Sequence, residues 1–326
     1  MNQGADAVTV SIVIVSYNAV GELTKTLTAI TGPAAPHASH EILVTDNGSG
    51  DGAAEVAEDL LGRAAVRRLG RNTGFGHAVN RTVDRARGEY VLLLNPDATP
   101  RPGAIDALVD HLVARPEDGI VGGRSVDPAG RLDPRSCFGR ITAWSLTASA
   151  LGLSSIARHS AWLAPESLGR WQRDDIRHVD VISGGWLLTT RKTWDRLGGF
   201  DETYLIYGED QDLCLRAARL GLRPSITPAA EVVHAVGASS ANKVDRDVLV
   251  LTGRATIVRQ HLGWRRGYGM AMLRLGVTLR SLAERALGRR DGRWTSVLRR
   301  RADWQDGWQP GARLPGRADT DAGRAA

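Results

Sequence analysis

Short apolar runs alternate with amphipathic segments over the first 120 residues of this 326-residue chain, and this alternation limits the fold more than any other feature. The runs are rich in β-branched and large aliphatic residues and are too short for helices, which predicts buried strands. The predicted strands are 9–16, 41–45, 65–69 and 89–94, and the predicted helices are 21–30, 51–61, 76–86 and 103–114. Strand and helix in strict alternation imply right-handed βαβ units. We therefore expect an α/β fold with a mostly parallel sheet flanked by helices.

Polar clusters follow three of these predicted strands directly. They are Tyr17-Asn18, Asp46-Asn47-Gly48-Ser49 and Asn95-Pro96-Asp97. Each cluster alone is also an ordinary turn or helix cap. In parallel sheets, ligands bind beyond the carboxyl ends of the strands, and three polar clusters at one such edge favour a binding site.

Asp97 is a candidate metal ligand, because a carboxylate after a buried strand can hold a hard cation and a bound diphosphate. One carboxylate is a sparse site, and His234, which follows two valines, is the best candidate for a second ligand. Imidazole suits Mn²⁺ better than Mg²⁺. The open alternative for His234 is a structural histidine.

Three acids, Glu209, Asp210 and Asp212, stand at the start of a predicted helix over 209–220. Acids at a helix N-terminus complement its dipole, so a structural role is the open alternative. The functional interpretation is a general base, which removes a proton from a hydroxyl group as that group attacks. The preceding Gly-Gly-Phe-Asp segment at 198–201 can hold a defined loop.

The segment 71–76, with the sequence RNTGFG, opens a helix, and its glycines would let a phosphate or a sugar approach backbone amides. It is not a dinucleotide-binding fingerprint, because Val79 stands at the third glycine position and Tyr17-Asn18 follows the first strand. A nicotinamide oxidoreductase is therefore disfavoured.

The second half of the chain is less regular. We expect a strand over 179–190 with a Gly-Gly break and a helix over 248–262. The uncharged stretch 141–157 falls short of the roughly 20 apolar residues of a transmembrane span. It predicts either an interfacial or acceptor-facing segment or a buried helix.

The net charge of +6 conceals an asymmetry along the chain. Residues 254–301 contain 13 arginines against two acids, a local charge of +11, which leaves about −5 for the remainder. A basic amphipathic helix over 266–288, flanked by Trp264 and Trp294, predicts contact with an anionic membrane surface. Packing on the domain with a solvated basic face is the open alternative. No recognition motif supports nucleic acid.

Cysteine usage and the chain ends complete the expectations. Cys137 and Cys214 are far apart, which argues against a disulfide framework and fits a reducing cytosol. Residues 1–8 have no basic region followed by an apolar one, so we expect no secretion signal there. We predict a catalytic domain over 1–245, a basic helical segment over 246–301 and a disordered tail over 302–326.

Taken in order, the blocks SIVIVSYN, VTDNGSGDG, RNTGFGHAVN, LLLNPDA, SGGWLLTTR and GGFDETYLIYGEDQDLCLR resemble glycosyltransferase family 2, most closely its rhamnosyltransferase-type branch. The resemblance spans roughly residues 8–240. It implies a GT-A fold, a nucleoside-diphosphate sugar donor, a divalent cation (Mg²⁺ or Mn²⁺) and inversion of the anomeric centre by one displacement.

The resemblance also implies roles for individual residues. The implied donor-binding residues are Tyr17, Asn18, Asp46, Arg71, Asn72, Gly74, Asn95 and Asp97, with Asp46 accepting a hydrogen bond from a pyrimidine imide N–H. The implied acceptor-side residues are Gly184, Gly185, Trp186 and Glu209. Asp210 would be the catalytic base, and Asp97 and His234 the metal ligands. Asn95 stands where the family's DxD motif has its first carboxylate.

The expected reaction is transfer of L-rhamnose from dTDP-rhamnose to a polyprenyl-linked or polysaccharide acceptor in cell-envelope glycan synthesis. The expected location is the cytoplasmic face of the membrane. Another donor (UDP-galactofuranose, UDP-GlcNAc or GDP-mannose) and a non-catalytic scaffold of a polysaccharide-assembly complex remain alternatives. A scaffold would have no need of Asp97 and Asp210, and both are present.

Overall fold

A computed structural model describes residues 8–234 and 242–314. Its strands are β1 Val10–Ser16, β2 His40–Asp46, β3 Val66–Arg68, β4 Tyr90–Leu94, β5 Ala98–Pro100, β6 Ile120–Val126, β7 Leu132–Asp133, β8 Cys137–Phe138, β9 Arg177–His178, β10 Val181–Ile182, β11 Trp186–Thr190 and β12 Ser225–His234. The main sheet has the order β3-β2-β1-β4-β11-β6-β12-β5, with β7 beside β6 and β9 beside β12. Strands β3, β2, β1 and β4 run parallel, and β12 runs parallel to β6. The predicted α/β class is confirmed.

Helices flank the sheet and form the C-terminal region. They are α1 Val20–Ile30, α2 Ala53–Leu61, α3 Phe75–Val83, α4 Ala104–Ala114, α5 Ala143–Ala150, α6 Leu153–Ile156, α7 Arg191–Leu197, α8 Glu209–Arg219, α9 Lys243–His261, α10 Arg266–Ala286, α11 Arg293–Arg299 and α12 Arg301–Trp304. The predicted elements of the first 120 residues all form, with ends that differ by at most three residues.

The sheet is buried on both faces, which explains the continuous apolar runs. Along β1, Ile12 and Ile14 pack into one core cluster while Val13 and Val15 pack into the other. This alternation is the two-residue period of a strand. Both clusters exclude water, so the polar residues after each strand are the first groups that can meet a ligand.

The predicted strand over 179–190 divides at its two glycines. β10 pairs with β8 in a separate two-stranded sheet, whereas β11 enters the main sheet antiparallel to β4 and β6. Gly184 and Gly185 lie in the connection between them.

The C-terminal helices form a third core cluster with residues of the catalytic domain. The prediction of a disordered tail is wrong for residues 302–314. Trp304 is fully buried and its indole Nε1 donates to the Val297 carbonyl at 3.1 Å. Trp308 is also buried and its Nε1 donates to the Ile206 carbonyl at 3.2 Å. Burial of these two tryptophans stabilises an ordered segment in spite of its polar composition. Residues 315–326 lie outside the described residues.

Helix α10 packs on the domain through one face, on which Met270, Leu273 and Val277 are buried. Trp294, expected as an interfacial anchor, is half-buried between Arg280 and Arg293, with centroid distances of 5.1 and 5.2 Å. The stretch 141–157 forms α5 and α6, and α5 packs against α10. Within residues 8–234 and 242–314, no helix combines the length and apolarity required to cross a bilayer.

Candidate active site

The loops after β1 and β2 are joined by hydrogen bonds at the carboxyl edge of the sheet. The backbone N–H of Asn18 donates to Ser49 Oγ at 3.0 Å, and Asn18 Oδ1 accepts from the Gly50 N–H at 2.9 Å. Asn18 has a φ of 49°, a left-handed conformation that asparagine tolerates well. Tyr17 beside it is 36% exposed, as a residue that stacks on a ligand requires.

Asp46 is buried at the end of β2, and its carboxylate accepts hydrogen bonds from the backbone of its own turn. Oδ2 accepts from the N–H groups of Gly48 and Ser49, both at 3.2 Å. Asp46 therefore stabilises its own turn, which is the structural alternative given above for this cluster. A carboxylate has further lone pairs, so these bonds leave the predicted contact with an imide N–H possible.

Asn47 organises the predicted donor loops, and sequence reasoning named it only as part of the cluster after β2. Its Nδ2 donates to Asn72 Oδ1 and to the Gly74 carbonyl, both at 3.1 Å. Its Oδ1 accepts from the N–H and the hydroxyl of Thr73, at 2.9 and 3.0 Å. The side chain thereby fixes the segment that opens α3. Arg71 at the start of that segment is exposed and makes no side-chain bond within the described residues.

The segment 71–74 is also tied to the loop before α8. The Phe75 N–H donates to the Leu205 carbonyl at 2.7 Å. Gly74 has a φ of +93°, and a Cβ there would lie 2.7 Å from the Leu205 carbonyl oxygen, so only glycine fits. The predicted donor loop is thus held against the loop that leads into α8.

The two glycines before β11 allow close approach of two predicted site residues. A Cβ on Gly185 would lie 2.5 Å from Asn95 Nδ2, so the Asn95 side chain occupies the space that glycine leaves. The Gly184 N–H donates to Asp210 Oδ2 at 3.3 Å. Trp186 is buried and donates from Nε1 to the Ala230 carbonyl at 3.3 Å, which places most of its ring in the core.

Glu209 and Asp210 form a pair of buried acids at the start of α8. Burial, together with the charge of Asp210, raises the pKa of Glu209 to about 8. Burial also raises the pKa of Asp210, against the N–H groups of Gly184 and Gln211, which favour the ionised form. Glu209 Oε2 has no hydrogen-bond partner within the described residues. Perturbed carboxyl groups in a cavity are typical of an active site.

Asp212, the third acid of this helix, has a structural role. It accepts from Arg216 Nε at 2.7 Å and bonds to His261 Nε2 at 2.9 Å. Burial opposes ionisation here, but these partners hold the pKa of Asp212 below its ordinary value. The contact with His261 fastens α9 to α8.

Asp97 and His234 meet at the ends of β4 and β12, as the sequence-based metal prediction requires. His234 Nε2 lies 3.4 Å from Asp97 Oδ2. The opposite ring nitrogen, Nδ1, lies 2.8 Å from Oδ2 of Asp133, a residue that sequence reasoning missed. Bonds to Asp133 and Asp97 raise the pKa of His234 to about 9. A carboxylate behind the imidazole is the arrangement that orients metal-bound histidines.

The chemistry of this pair fits a divalent cation. A carboxylate and an imidazole at this separation can bind one ion, while water and phosphate oxygens complete its coordination. Within the described residues, no cluster of three or more His, Cys, Asp or Glu side chains is arranged to hold a metal by itself. A cation here would therefore share its coordination with a ligand.

A cavity of about 420 Å³ is lined by Glu209 and Asp210 and also by His234. Six predicted site residues line it, namely Asn95, Gly185, Trp186, Glu209, Asp210 and His234. The remaining predicted residues lie outside the cavity wall, either at the neighbouring sheet edge or behind it: Tyr17, Asn18, Asp46, Arg71, Asn72, Gly74, Asp97 and Gly184.

Helix α9 supplies one wall of this cavity, which the predicted domain boundary did not anticipate. Val250, Arg254 and Ile257 line it. Arg254 donates to both carboxylate oxygens of Glu166, at 2.7 and 2.9 Å. Burial opposes ionisation of Glu166, but the Arg254 charge holds the pKa of this carboxyl below its ordinary value. Because the two residues are 88 positions apart, nothing in the sequence indicates that they form a pair.

Two family models match this chain. One, described as glycosyl transferase family 2, matches residues 11–145, and the other, described as the N-terminal domain of galactosyltransferase, matches residues 176–236.

Two curated relatives are rhamnosyltransferases. The N-acetylglucosaminyl-diphospho-decaprenol L-rhamnosyltransferase of Mycobacterium tuberculosis is 31% identical over 262 residues, covering 74% of this chain and 81% of that protein. Rhamnosyltransferase WbbL of Escherichia coli is 39% identical over 56 residues, covering 17% of this chain and 21% of that protein.

Among solved structures, the mannosyltransferase PcManGT from Pyrobaculum calidifontis, determined in complex with GDP-Man and Mn²⁺, superposes with a TM-score of 0.52. It has 19% sequence identity and covers 97% of this chain and 79% of that one. This likeness supports the GT-A fold.

Proposed function

This chain belongs to glycosyltransferase family 2, and on that premise we propose that it transfers L-rhamnose from dTDP-rhamnose, with inversion, to a lipid-linked or polysaccharide acceptor of the cell envelope. The observation that carries the proposal is the cavity that Asp210 and His234 both line, with Asp97 in contact with His234 at 3.4 Å. A base at one end and a cation-binding pair at the other are what a single displacement at a sugar carbon needs.

In this proposal, Asp210 removes the proton of the acceptor hydroxyl as that oxygen attacks the anomeric carbon. The bonds from Gly184 and Gln211 orient its carboxylate, and burial brings its pKa towards the working range of a general base. Glu209, with a pKa of about 8, is protonated at neutral pH and can donate a hydrogen bond to the acceptor sugar.

Asp97 and His234 would hold a divalent cation against the donor diphosphate. Such a cation supplies charge stabilisation for the departing diphosphate. His234 must lose its ring proton to bind it, and the Asp133 carboxylate at 2.8 Å keeps the ring in place with Nε2 directed towards Asp97.

The donor nucleotide would bind across the loops after β1 and β2. Tyr17 offers an exposed ring for the base, and Asp46 a carboxylate for a pyrimidine imide N–H. Arg71, exposed beside the glycine-rich opening of α3, supplies a positive charge near the diphosphate. The choice of L-rhamnose rests on the activities of the two rhamnosyltransferase relatives.

We further propose that the enzyme works at the inner surface of the cell membrane. Helix α10 carries a second apolar stripe opposite its packed face. Tyr268, Leu279 and Leu282 on this stripe are 46%, 38% and 52% exposed, and Trp264 just before the helix is 87% exposed. Exposed arginines on α10 and in the loop after it are suited to anionic lipid headgroups.

The donor proposal is tested by calorimetric titration of the protein with dTDP-rhamnose, UDP-galactofuranose, UDP-GlcNAc and GDP-mannose, each with and without Mn²⁺. We expect metal-dependent binding of dTDP-rhamnose alone. Preference for another donor would refute the rhamnosyl assignment while keeping the enzyme class. Binding of none of them would favour a non-catalytic scaffold.

Membrane association is tested by vesicle flotation. Wild-type protein should float with vesicles that contain phosphatidylglycerol and less with pure phosphatidylcholine. The double variant Trp264→Ser/Leu282→Ser should lose most of this binding. Equal flotation of the variant and the wild type would show that the exposed stripe is not the contact surface.

A further inference from the structure

A groove of about 200 Å³ lies between α5, α9 and α10, next to the catalytic cavity. Val250 and Arg254 line both spaces, so one turn of α9 separates them. The groove wall is mainly apolar and includes Leu146, Ala150, Leu251, Met272, Leu273 and Val277. Gly276 permits this packing, because a Cβ there would lie 3.0 Å from the Ala150 Cα.

The polar groups of the groove leave one positive charge without a carboxylate partner. Arg254 is neutralised by Glu166, and Asp247 is neutralised by Arg293. Arg280 forms no ion pair with any described residue. Its guanidinium donates to the carbonyls of Gly276 and Ser149, at 2.9 and 2.8 Å, and lies 5.1 Å from the Trp294 ring centroid.

The surroundings of Arg280 disfavour its charged form, and this lowers its pKa. Burial and the positive charge of Arg254 lower the pKa of its guanidinium. A partly buried cation without a counter-ion is unfavourable in the absence of a ligand, and an anion would relieve it.

We propose that this groove binds the isoprenoid-diphosphate part of a lipid-linked acceptor, with the diphosphate at Arg280 and the first isoprene units along the apolar wall. The inference rests on the proposed glycosyltransferase function and deepens it, because it assigns a groove and a cation, Arg280, to the isoprenoid diphosphate of the acceptor. The inference also gives the bound acceptor a direction. Its sugar would lie in the catalytic cavity, its diphosphate beyond Arg254, and its isoprenoid chain would run towards the exposed side of α10.

The position of the groove supports this occupant over a free anion. Met272 lines it one turn from Tyr268, which lies on the exposed apolar stripe of α10. A lipid chain that leaves the groove past Met272 would therefore reach the proposed membrane surface without crossing water. A free phosphate would gain nothing from the apolar wall.

The test is calorimetric titration with farnesyl diphosphate, which has the charge and the chain but no sugar, so no transfer activity is required. Farnesol and inorganic pyrophosphate are the matched probes that lack one part each. We expect farnesyl diphosphate to bind at least about tenfold more tightly than either probe, since charge-assisted bonds and apolar burial both contribute. Excess dTDP and UDP should leave this binding unchanged.

The variant Arg280→Met should weaken farnesyl diphosphate binding at least about tenfold, and Arg280→Lys should weaken it less. Arg285→Met is the control, because it removes the same charge from an exposed position of the same helix. Circular dichroism melting of each variant establishes that it is folded. If Arg280→Met folds poorly, the two matched probes and the Lys variant still decide the outcome.

Three results would overturn the proposal. These are displacement of farnesyl diphosphate by dTDP or UDP, equal affinity for pyrophosphate, and unchanged binding in folded Arg280→Met. Loss of phosphatidylglycerol vesicle binding in Arg280→Met but not in Arg285→Met, without loss of farnesyl diphosphate affinity, would assign Arg280 to a membrane headgroup instead. The outcomes also separate the two proposals. Farnesyl diphosphate binding without sugar transfer would refute the function alone, and transfer without such binding would refute the groove alone.

Discussion

The proposed donor loops, which follow β1 and β2, and the proposed acceptor side of the cavity are held together by different interactions. On the donor side, Asn18 and Asn47 connect the loops through neutral amide groups that bond to backbone and hydroxyl partners. On the acceptor side, α8 and α9 bury ionisable groups, among them Asp210, Glu166 and Arg254.

This difference has consequences for stability and for function. Neutral hydrogen bonds fix a shape and respond little to pH or salt. Buried charges are costly and depend on their partners, but they supply protons and fields where a reaction takes place. We therefore expect substitution of Asn18 or Asn47 to change donor affinity by a similar factor at all pH values. Acceptor-side substitutions should instead change turnover, pH dependence or folding.

The largest effect is expected for Asp210→Asn. Loss of the base should lower kcat by about 10³- to 10⁴-fold, while donor affinity changes less than about twofold. Steady-state rates and calorimetric donor binding measure the two separately. A comparable loss of donor affinity would mean that the Gly184–Asp210 contact serves structure rather than proton transfer.

Glu209→Gln should alter the pH dependence of stability. The ordinary pKa of 4.5 rises to about 8 in the folded protein, so the folded state binds the extra proton between these values. Wild-type stability should therefore fall as the pH rises from 4.5 to 8, by at most about 5 kcal/mol through this group. The Gln variant should lack this slope. Parallel urea-unfolding profiles for the two proteins across this pH range would contradict the prediction.

The parts of the fold and of the site that the sequence could predict are those that depend on local patterns. The strands, the first four helices and the polar clusters that follow Ser16, Asp46 and Leu94 depend on local patterns, and the structure has them at the expected places. The meeting of Asp97 with His234 was also predicted, first from the residue types as a candidate metal pair and then from the family resemblance.

The interactions between distant segments could not be predicted. Asp133 lies in an ordinary turn sequence. It meets His234, which is 101 residues further along the chain, only because β12 ends beside it in the fold. Arg254 was one of 13 arginines in a basic segment, and nothing in its neighbours marks it as the partner of Glu166. Likewise, the burial of Trp304 depends on helices that the composition of the tail does not reveal.

Glu166→Gln should destabilise the protein by about 3 kcal/mol, because it leaves Arg254 partly buried without its carboxylate. Glu58→Gln is the matched control, since its partner Arg68 is 44% exposed, and we expect it to cost much less stability than Glu166→Gln. Urea unfolding at neutral pH measures both. Equal effects of the two variants would remove the proposed contrast between surface charges and cavity-wall charges.

Asp133→Asn should weaken Mn²⁺ binding by about 10- to 100-fold, because the His234 ring loses the carboxylate that orients it. Electron paramagnetic resonance of free Mn²⁺ measures this without turnover. Asp127→Asn, which removes an acid from a nearby exposed turn paired with Arg131, should leave the affinity unchanged. Equal Mn²⁺ affinity in both variants would show that Asp133 does not act through His234.

Asn47→Ala should have the smallest effect and the one least dependent on pH. It removes the bonds to Thr73 and Gly74, which should lower stability by about 1 to 2 kcal/mol and weaken donor binding about fivefold, with kcat nearly unchanged. Asn242→Ala is the matched control, because this side chain bonds a backbone amide at the start of α9, far along the chain from the donor loops. It should cost about 1 kcal/mol and leave donor affinity intact. If the loss of donor affinity in Asn47→Ala varied with pH as strongly as turnover does, Asn47 would not act through neutral hydrogen bonds alone.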